Sequence, residues 1–408
     1  MHIIYIHQHF STTRGTTGTR SYDFARLLQA RGHKVTVVCG VYGPSDIGRL
    51  GDPLKGFVTR RTIDGLDVRI LSVRYDNKQS IAAQVLSFLL FMAGSTVEMF
   101  RIRGADIVFA TSTPLTVGFP GTVARYLRGL PFVFEVRDIW PEWAVEAGAI
   151  RNPLIIWAAK VAARAFYRAA DRIIVISHRM GERLQEQLGP VGRKVRVVPL
   201  GTDVALFGSA APDTAWRREH GLEGKFVVVY AGAHSRLHAL GWVLKAAAIL
   251  KEDADIRFAL IGDGVLKAAL VEEARREGLG NVLFFDPIPK NRLAGILRTC
   301  NLGLMTVENL SIVDMALPNK FLDYLAAGLP VLVNFSGEAG WICEQEGCGV
   351  VVPPQDPAAM AEAVRRLARD PARAKRMGER ARDVAVRRFD RARLVEDFER
   401  VLEEARHG

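Results

Sequence analysis

The stretch "LPNKFLDYLAAGLPVLV", residues 317–333, joins a helix pattern to a buried strand pattern. Its apolar residues recur at helical spacing, and Gly328 followed by Pro330 is typical of a helix end. The apolar run 331–333 then predicts a strand that is covered on both faces, as in a parallel sheet. The stretch therefore predicts an α/β architecture in which a helix leads directly into an interior strand.

Three polar residues fall on a separate face near the beginning of this helix. Asn319 and Lys320 lie in its first turn, and Asp323 follows one turn later. A helix N-terminus favours an anion because its backbone N–H groups are unpaired and its dipole is positive there. An ionised Asp323 only accepts hydrogen bonds, which suits two vicinal hydroxyls. The pattern fits a phosphate followed by a sugar; a capped surface helix with an internal ion pair is the simpler explanation of this stretch alone.

Length and composition limit the class of protein. A chain of 408 residues exceeds one ordinary core, so we expect two domains. The four cysteines form no CxxC pair, which argues for a reducing compartment and against a structural metal site. The beginning, "MHIIYIHQHF", reads as a strand and lacks the basic region and long apolar run of a signal peptide. We therefore expect a cytoplasmic protein.

The net charge of +11 is compatible with nucleic acid, anionic lipid or phosphorylated small molecules as partners. The sequence has no basic stretch interleaved with aromatic residues and no zinc-finger spacing, so no nucleic-acid partner is expected. The longest apolar segment lies within residues 80–103, and between Gln84 and Glu98 it is too short to span a bilayer. Arg101 and Arg103 follow it. This segment is either a helix at the inner face of the cytoplasmic membrane or an ordinary core helix.

Strand and helix patterns alternate in two successive sets along the chain. The first set runs from "HIIYI" (2–6) to "KVRVVPLG" (194–201), and the second from "FVVVYAG" (226–232) to "GVVVPP" (349–354). This alternation predicts an α/β fold of two doubly wound domains, each with a parallel sheet between helices. We expect the two domains to face a central cleft, because ligands bind at the carboxyl ends of strands in such sheets.

A polar stretch and the last helix pattern set the expected boundaries. Residues 202–224 are polar and read as a linker, and the final amphipathic pattern has no strand after it. We expect that last helix to fold back onto the first domain. The predicted segments are a first domain, a second domain and a returning helix at 1–203, 204–388 and 389–408.

The turn after the first strand is rich in glycine and threonine: Gly15, Thr16, Thr17 and Gly18. Glycines allow close backbone approach and threonines add hydroxyls, so a turn of this kind before a helix suits a phosphate or a sugar. Its spacing is neither Walker A nor GxGxxG, and a flexible polar loop is the alternative.

A later strand ends in Arg137 and Asp138. Asp138 would orient or deprotonate an acceptor hydroxyl, unless the two side chains form a plain ion pair.

Three strands of the second domain end in turns with candidate residues His234, Arg236, His238, Gly262, Asp263, Pro287 and Ile288. Arg236, with either histidine, would suit a diphosphate because Arg makes bidentate phosphate contacts; solvated loop charges are the alternative. The glycine turn is a partial nucleotide-binding signal, and the backbone at Pro287 and Ile288 would read a base edge. A DxD sequence at 253–255 precedes a strand, away from the expected cleft, so we predict no metal site.

These segments together resemble the retaining glycosyltransferases of family 4, which have the GT-B fold. The resemblance rests on "YAG", "IGDG", "PNKFLDYLAAGLPVLV" and "GCGVVVPPQDPAAMAEAV", and it covers essentially the whole chain. The segment "EVRDIWPEW" is most similar to bacterial O-antigen and capsule enzymes, which include N-acetyl-fucosamine transferases. The resemblance implies an acceptor-binding first domain, a nucleotide-sugar-binding second domain, a polyprenyl-diphosphate-linked acceptor and no metal cofactor.

The resemblance also assigns roles to particular residues. Asp323 matches the second acid of the family's E-x7-E signature, which binds ribose hydroxyls. The first acid would fall at Met315, and Asp314 is the nearest acid. Ala233 stands where the family usually has arginine. The leaving diphosphate is therefore expected to meet Arg236, His238 and Lys320, and Asp138 is the expected acceptor-side residue beside Arg137, where the family often has histidine.

The leading hypothesis from the sequence is a transferase that moves a sugar from a nucleotide diphosphate, of the UDP type, to a lipid-linked glycan. Its expected catalytic residues are Asp138, Arg236 and Lys320, and helix residue Asn319 joins the donor-binding set. A UDP-sugar epimerase of similar build and a two-lobed ligand-binding protein are the alternatives. The epimerase would alter a UDP-sugar without an acceptor, and the binding protein would leave it intact.

Overall fold

The structure, a computed structural model, describes residues 1–146, 148, 150–315 and 317–408. It contains two compact units. Unit 1 comprises residues 1–199 and 391–408, and unit 2 comprises residues 200–390. The boundaries predicted from the sequence, after residues 203 and 388, lie four and two residues away from these.

Unit 1 is built on an eight-stranded sheet in the order β3-β4-β2-β1-β5-β6-β7-β8. The strands are β1 His2–Ile6, β2 Lys34–Tyr42, β3 Val58–Ile63, β4 Leu66–Tyr75, β5 Ile107–Thr111, β6 Phe132–Val136, β7 Arg172–Val175 and β8 Val195–Val197. All neighbouring strands pair in parallel except β3 and β4, which form an antiparallel edge. The central strands β1, β5 and β6 are buried along their whole length, as expected for strands covered on both faces.

Helices connect these strands and cover the sheet. They are α1 Arg20–Ala30, α2 Ile81–Arg101, α3 Gly118–Leu127, α4 Glu142–Glu146, α5 Pro153–Ala169 and α6 His178–Leu188. Most parallel crossovers therefore pass through a helix, as is usual for parallel pairing; the exception is β2 to β4, which are joined through a loop and strand β3.

Unit 2 is built on a six-stranded, fully parallel sheet in the order β11-β10-β9-β12-β13-β14. Its strands are β9 Phe226–Ala231, β10 Ile256–Ile261, β11 Val282–Phe285, β12 Leu302–Met305, β13 Val331–Val333 and β14 Gly349–Val351. Its helices are α7 Val204–Ser209, α8 Thr214–Glu219, α9 Leu240–Ile249, α10 Lys267–Arg276, α11 Lys290–Leu297, α12 Asn319–Ala327, α13 Glu338–Glu346, α14 Pro357–Arg369 and α15 Pro371–Val384. The predicted α/β class with two doubly wound parallel sheets is confirmed.

The last helix, α16 Arg391–His407, belongs to unit 1. It packs against α1, and its Phe398 ring lies 4.7 Å from the Phe24 ring and 4.8 Å from the Phe109 ring. Phe398 is fully buried. The core of unit 1 therefore includes residues from both ends of the chain.

The segment 317–333 forms helix α12 and strand β13, as its pattern predicted. Phe321, Tyr324 and Leu325 are fully buried, so the apolar positions at helical spacing face the core. Gly328 ends the helix with a φ of 76°, in the left-handed region that glycine adopts without steric cost.

Helix α2 is longer than its apolar stretch suggested, with 21 residues. By length and apolar composition it is the one helix among the described residues that is long enough to cross a bilayer, and 28% of that apolar window is buried. Phe91, Ser95 and Glu98 are on its buried face. Glu98 pairs with Arg69 at 3.1 Å and with Arg101 at 2.8 Å, which shows that one side of α2 packs into unit 1.

A buried ion pair fixes the first turn of α1 on the sheet of unit 1. The Arg20 and Glu135 side chains are both fully buried, with 2.8 Å between Arg20 Nη2 and Glu135 Oε1. Thr111 Oγ1 donates a hydrogen bond to Glu135 at 2.6 Å, and Arg20 donates to the carbonyl of Val198 at 3.0 Å. Strands β5, β6 and β8 and helix α1 are thus joined through two charged groups that water does not reach.

We expect Glu135→Gln to lower the free energy of unfolding by about 3 kcal/mol, because it leaves the buried Arg20 charge without its counter-ion. Urea unfolding followed by circular dichroism measures this loss. The control is Arg31→Gln, which breaks a half-exposed ion pair with Glu399 of α16 and should change the stability by less than about 1 kcal/mol. If the two substitutions lower the free energy of unfolding equally, the buried pair stabilises unit 1 no more than an exposed pair does.

Candidate functional site

The candidate residues of unit 1 lie where parallel strands end. In a doubly wound sheet these carboxyl ends are where ligands bind. The Gly/Thr turn follows β1 and packs against the loop after β2: Thr16 donates to the carbonyl of Pro44 through its N–H at 3.0 Å and its hydroxyl at 3.1 Å. A Cβ on Gly15 would lie 2.1 Å from Ser11 Oγ and 3.2 Å from Asp46 Oδ1, so only glycine fits. Thr17 and Gly18 complete the turn before α1.

Two histidines at the end of β1 are part of this edge and were not identified from the sequence. His7 is buried, and the ring of His9 lies 4.6 Å from the rings of both Tyr42 and Tyr75. Burial, and next the charge of Arg137, lower the pKa of His9 to about 3 and that of His7 well below its usual value. Both imidazoles are therefore neutral at pH 7. The signal was present, since "HQH" directly follows the first strand.

Asp138 follows β6, which is separated from β1 by strand β5 in the sheet. Its Oδ2 accepts a hydrogen bond from Thr113 Oγ1 at 2.9 Å. Burial raises the pKa of Asp138, while the Thr113 hydrogen bond and the charge of Arg137 act in the opposite direction. Arg137 and Asp138 form no ion pair in the part of the chain that the structure describes. The backbone N–H of Arg137 donates to Ser112 Oγ at 3.0 Å, whereas the Asp138 carboxylate is held by the hydroxyl of Thr113.

In unit 2, Lys320 at the beginning of α12 faces the end of β9. Its Nζ donates to the Tyr230 hydroxyl at 2.7 Å and lies 4.2 Å from the centre of the Tyr230 ring. The Tyr230 hydroxyl in turn donates to the carbonyl of Ala233 at 2.7 Å. Burial lowers the pKa of Lys320 to about 7. Among the described residues, the ammonium group has hydroxyl and ring partners but no carboxylate, an arrangement that an added anion would complete.

His234 lies beside this lysine at the point where β9 and β10 end. It is fully buried, and both of its ring nitrogens are without a hydrogen-bond partner among the described residues. Burial, and then the charge of Lys267, lower its pKa to about 4. Buried polar atoms are normally hydrogen-bonded, and an unpaired one needs an explanation such as a missing ligand.

Two glycines after β10 make room for this histidine loop. A Cβ on Gly262 would lie 1.9 Å from the Gly232 carbonyl oxygen, and one on Gly264 would lie 2.4 Å from the His234 carbonyl oxygen. The His234 N–H donates to the carbonyl of Asp263 at 2.9 Å. The partial nucleotide-turn signal in the sequence therefore marks a close contact between two strand ends.

The other predicted donor residues differ in whether they lie near Tyr230. His238 accepts or donates a 2.9 Å hydrogen bond at Nδ1 with Ser235 Oγ, and burial lowers its pKa well below its usual value. Arg236 is exposed. Pro287 is exposed and Ile288 half-buried in the turn after β11. Of the predicted donor residues, His234, His238 and Lys320 thus surround Tyr230, whereas Arg236 is not part of that group.

Asp323 has partners that the sequence did not indicate. Its Oδ1 accepts a hydrogen bond from Thr202 Oγ1 at 2.8 Å and lies 3.1 Å from Lys290 Nζ. Lys290 begins α11, directly after the turn that contains Pro287 and Ile288. Asp323 therefore connects α12 to this turn through a buried ion pair. Asp314, the candidate for the first acid of the signature, is exposed and lies in the short helical segment Ser311–Met315.

The positive charges at the strand ends of unit 2 suit the binding of an anion. Lysines 320, 267 and 290 lie at or after the ends of β9, β10 and β11, and the N-terminus of α12 adds the positive end of a helix dipole. Lys267 Nζ also donates to the Phe285 carbonyl at 3.0 Å. Cations and a helix N-terminus together suit a diphosphate better than a neutral ligand.

Comparison with known proteins gives two family matches. The family described as "Glycosyl transferase 4-like domain" matches residues 15–201, and the family described as "Glycosyl transferases group 1" matches residues 225–370. The first match lies almost wholly in unit 1 and the second lies in unit 2.

Individual proteins match over more than half of the chain. The "Probable glycosyltransferase WbjE" of Pseudomonas aeruginosa is 26% identical over 287 residues, which cover 69% of this chain and 70% of that protein. The "Putative colanic acid biosynthesis glycosyl transferase WcaI" of Escherichia coli is 28% identical over 234 residues, which cover 56% of each protein.

A solved structure shares the fold over nearly the full length. HepE from Anabaena, determined in complex with UDP-glucose, superposes with a TM-score of 0.73 and 17% identity, and the match covers 99% of each chain. At 17% identity this structural similarity is evidence for the fold alone.

We expect the His234→Leu variant to have almost the same free energy of unfolding as the wild type. The two side chains have similar volumes, and the imidazole loses no hydrogen bond on replacement. Thermal and urea unfolding should give a difference below about 1.5 kcal/mol. A loss of 3 kcal/mol or more would mean that the ring nitrogens do have protein partners.

Proposed function

We propose that this chain, which belongs to the glycosyltransferases and has the GT-B fold, transfers a sugar from a UDP-sugar to a lipid-linked glycan in cell-surface polysaccharide synthesis. The observation that carries the proposal is Lys320, half-buried at the N-terminus of α12 against Tyr230 and without a carboxylate partner among the described residues. Two relatives support it further: WcaI is named for colanic acid biosynthesis, and the HepE structure holds UDP-glucose.

In this proposal the donor diphosphate binds at the beginning of α12. Lys320 donates to a phosphate oxygen, and the first-turn N–H groups with Asn319 lie on the same side. His234 donates one hydrogen bond from its neutral ring, which gives its buried nitrogens the partner they lack. When the bond between the sugar and the phosphate oxygen breaks, its electron pair stays on the diphosphate, and these fixed donors stabilise the charge.

The nucleoside lies further along the same edge. We place the ribose hydroxyls against Asp323, whose Oδ1 is already oriented by Lys290 and Thr202. Lys290 directly follows the turn at Pro287 and Ile288. Its ion pair with Asp323 would therefore also position the backbone of that turn, which contacts the base in this proposal. Asp323 therefore acts partly as a positioning residue for its neighbours.

The acceptor binds to unit 1. Asp138, with a pKa raised by burial, accepts a hydrogen bond from the attacking hydroxyl and takes its proton as the new bond to the sugar carbon forms. Arg137, next to it in the chain, and the neutral His7, whose pKa the charge of Arg137 helps to lower, would bind oxygen atoms of the acceptor. Attack on the face from which the diphosphate leaves would give retention, and neither this step nor the rest of the proposed reaction requires a metal ion.

We also propose that the enzyme works at the cytoplasmic face of the membrane, where a polyprenyl-diphosphate acceptor resides. Helix α2, within residues 80–103, supplies the contact: Leu86, Leu89 and Leu90 are exposed on it. An apolar helix face flanked by arginines binds the boundary between head groups and acyl chains.

We expect the purified chain to convert a polyprenyl-diphosphate glycan and a UDP-sugar into an extended glycan and UDP, with Asp138→Asn reducing kcat at least 100-fold. Mass spectrometry of the lipid product and release of UDP measure the reaction for a panel of UDP-hexoses and UDP-N-acetylhexosamines. Glu223→Gln, at an exposed carboxylate of unit 2 that pairs with Arg218, is the control and should retain activity.

Two outcomes of this assay would contradict the proposal. A change of the UDP-sugar without acceptor, seen by NMR, would indicate an epimerase. Tight binding of UDP-sugars that stay intact with every acceptor would indicate a binding protein.

We expect UDP binding to take up about one proton per molecule at pH 8. Lys320 is largely neutral there because burial lowers its pKa to about 7, and a bound diphosphate raises that pKa again. The affinity should therefore be highest below pH 7 and fall up to tenfold per pH unit above it. Calorimetry in buffers of different ionisation enthalpy counts the protons.

The Lys320→Met variant provides the matched control for this linkage. It should bind UDP more weakly and take up no proton between pH 7.5 and 9, a range in which the phosphates are already ionised. A wild-type affinity that is constant over this range would remove Lys320 from the diphosphate site.

A further inference from the structure

Large exposed apolar side chains are concentrated on three helices of unit 1. Of the 21 such residues in the described part of the chain, 14 belong to α2, α3 and α5. Helix α3 packs against both α2 and α5, so the three helices form one layer. A contiguous apolar surface of this kind marks a binding surface.

Helix α5 contributes the most exposed part of this layer. Leu154 is 74% exposed, Ile155 is 54% exposed and Trp157 is 66% exposed. The buried residues of α5 all lie in its second half: Ala163, Phe166, Tyr167 and Ala169. The first two turns of α5 therefore present apolar side chains, including a tryptophan, to the surroundings of the protein.

The charges on this layer have one sign. Helices α2, α3 and α5 have 21, 10 and 17 residues and contain a single acid, Glu98, which is buried between Arg69 and Arg101. On α5, Lys160, Arg164 and Arg168 recur every four residues and are exposed, so they form a basic stripe beside the apolar one.

We propose that α5, together with α2 and α3, docks unit 1 on the surface of an anionic bilayer. Trp157, Leu154 and Ile155 enter the interface between head groups and acyl chains, where tryptophan is favoured. Lys160, Arg164 and Arg168 lie over the lipid phosphates. The proposal extends the proposed membrane contact of α2 and rests on the proposed function only in that both place the enzyme at a membrane.

Charge decides between a bilayer and a second copy of this chain as the occupant. A symmetric dimer through this layer would place the basic stripe of α5 against the same basic stripe, and like charges across an interface weaken association. An anionic lipid surface instead neutralises these cations. The apolar and basic features thus favour the same partner.

The layer is also connected to the acceptor edge of unit 1. Gln8, next to His7 and His9 at the end of β1, donates from Nε2 to Ser87 Oγ of α2 at 2.9 Å. The Phe88 ring of α2 stacks on the Tyr75 ring at 5.1 Å, and Tyr75 stacks on His9 at 4.6 Å. Docking of α2 would therefore bring these strand-end side chains close to the surface that carries a lipid-linked acceptor.

The test is co-flotation of the full chain with vesicles of phosphatidylglycerol and phosphatidylethanolamine, compared with phosphatidylcholine vesicles. We expect binding to the anionic vesicles only, with Trp157→Glu and Ile155→Glu each weakening it at least tenfold. Lys160→Gln, Arg164→Gln and Arg168→Gln should each weaken it about fivefold. Trp157→Phe should retain most of the binding, and Ile249→Glu, at an exposed position in unit 2, is the matched control.

Three results would overturn the proposal. The first is that the wild type does not float with anionic vesicles. The second is that the α5 variants float as well as the wild type does. The third is that sedimentation shows a dimeric wild type and a monomeric Trp157→Glu variant. Because flotation needs neither donor nor acceptor, it is independent of the transfer assay. A chain that floats but transfers no sugar contradicts the proposed transfer reaction and leaves the docking surface standing. A chain that transfers sugar but never floats contradicts the docking surface and the membrane contact of α2, and leaves the transfer reaction standing.

Discussion

Parallel pairing of strands is the constraint on which the candidate chemistry depends. Because every strand of a parallel run points in the same direction, the residues that follow the strands collect along one edge of each sheet. In unit 2 that edge gathers Tyr230, His234 and Lys320, although Lys320 is far from the other two in the sequence. In unit 1 it gathers His7, Thr113 and Asp138 in the same way. The candidate functional residues are thus loop and helix-terminal residues, and the strands determine only where these residues lie.

The two edges share an electrostatic property. The ionisable groups that face them have lost much of their water, and burial makes the charged form of each less favourable: His7, His9, His234 and Lys320 have lowered pKa values, and that of Asp138 is raised. Groups whose charge depends this closely on their surroundings respond strongly to an incoming ion. By contrast, the buried pair Arg20–Glu135 is fully compensated, so it serves the fold and is not available to a ligand.

The sequence predicted the fold because the periodicity of apolar residues reports directly on parallel strands and their crossover helices, as in 317–333. It predicted Lys320 and His234 because each follows a strand or opens a helix. It missed the ion pair of Asp323 with Lys290, and the hydrogen bond of Asp323 with Thr202, since partners from different elements leave no local spacing to recognise. It also passed over α5, because the pattern of "PLIIWAAKVAARAFYRA" suits a core helix equally well, and only the folded chain shows which of its faces stays uncovered.

Helix α16 has a consequence for how this polypeptide reaches its native state. Phe398 fills a place between Phe24 and Phe109, and Arg391 pairs with Asp23. During synthesis, residues 1–199 leave the ribosome long before residues 391–408, so the aromatic slot in unit 1 stays open while all of unit 2 is being translated. The apolar side chains that line this slot therefore stay uncovered in nascent chains until α16 has been synthesised, whereas unit 2, which is continuous in sequence, can complete its own core earlier.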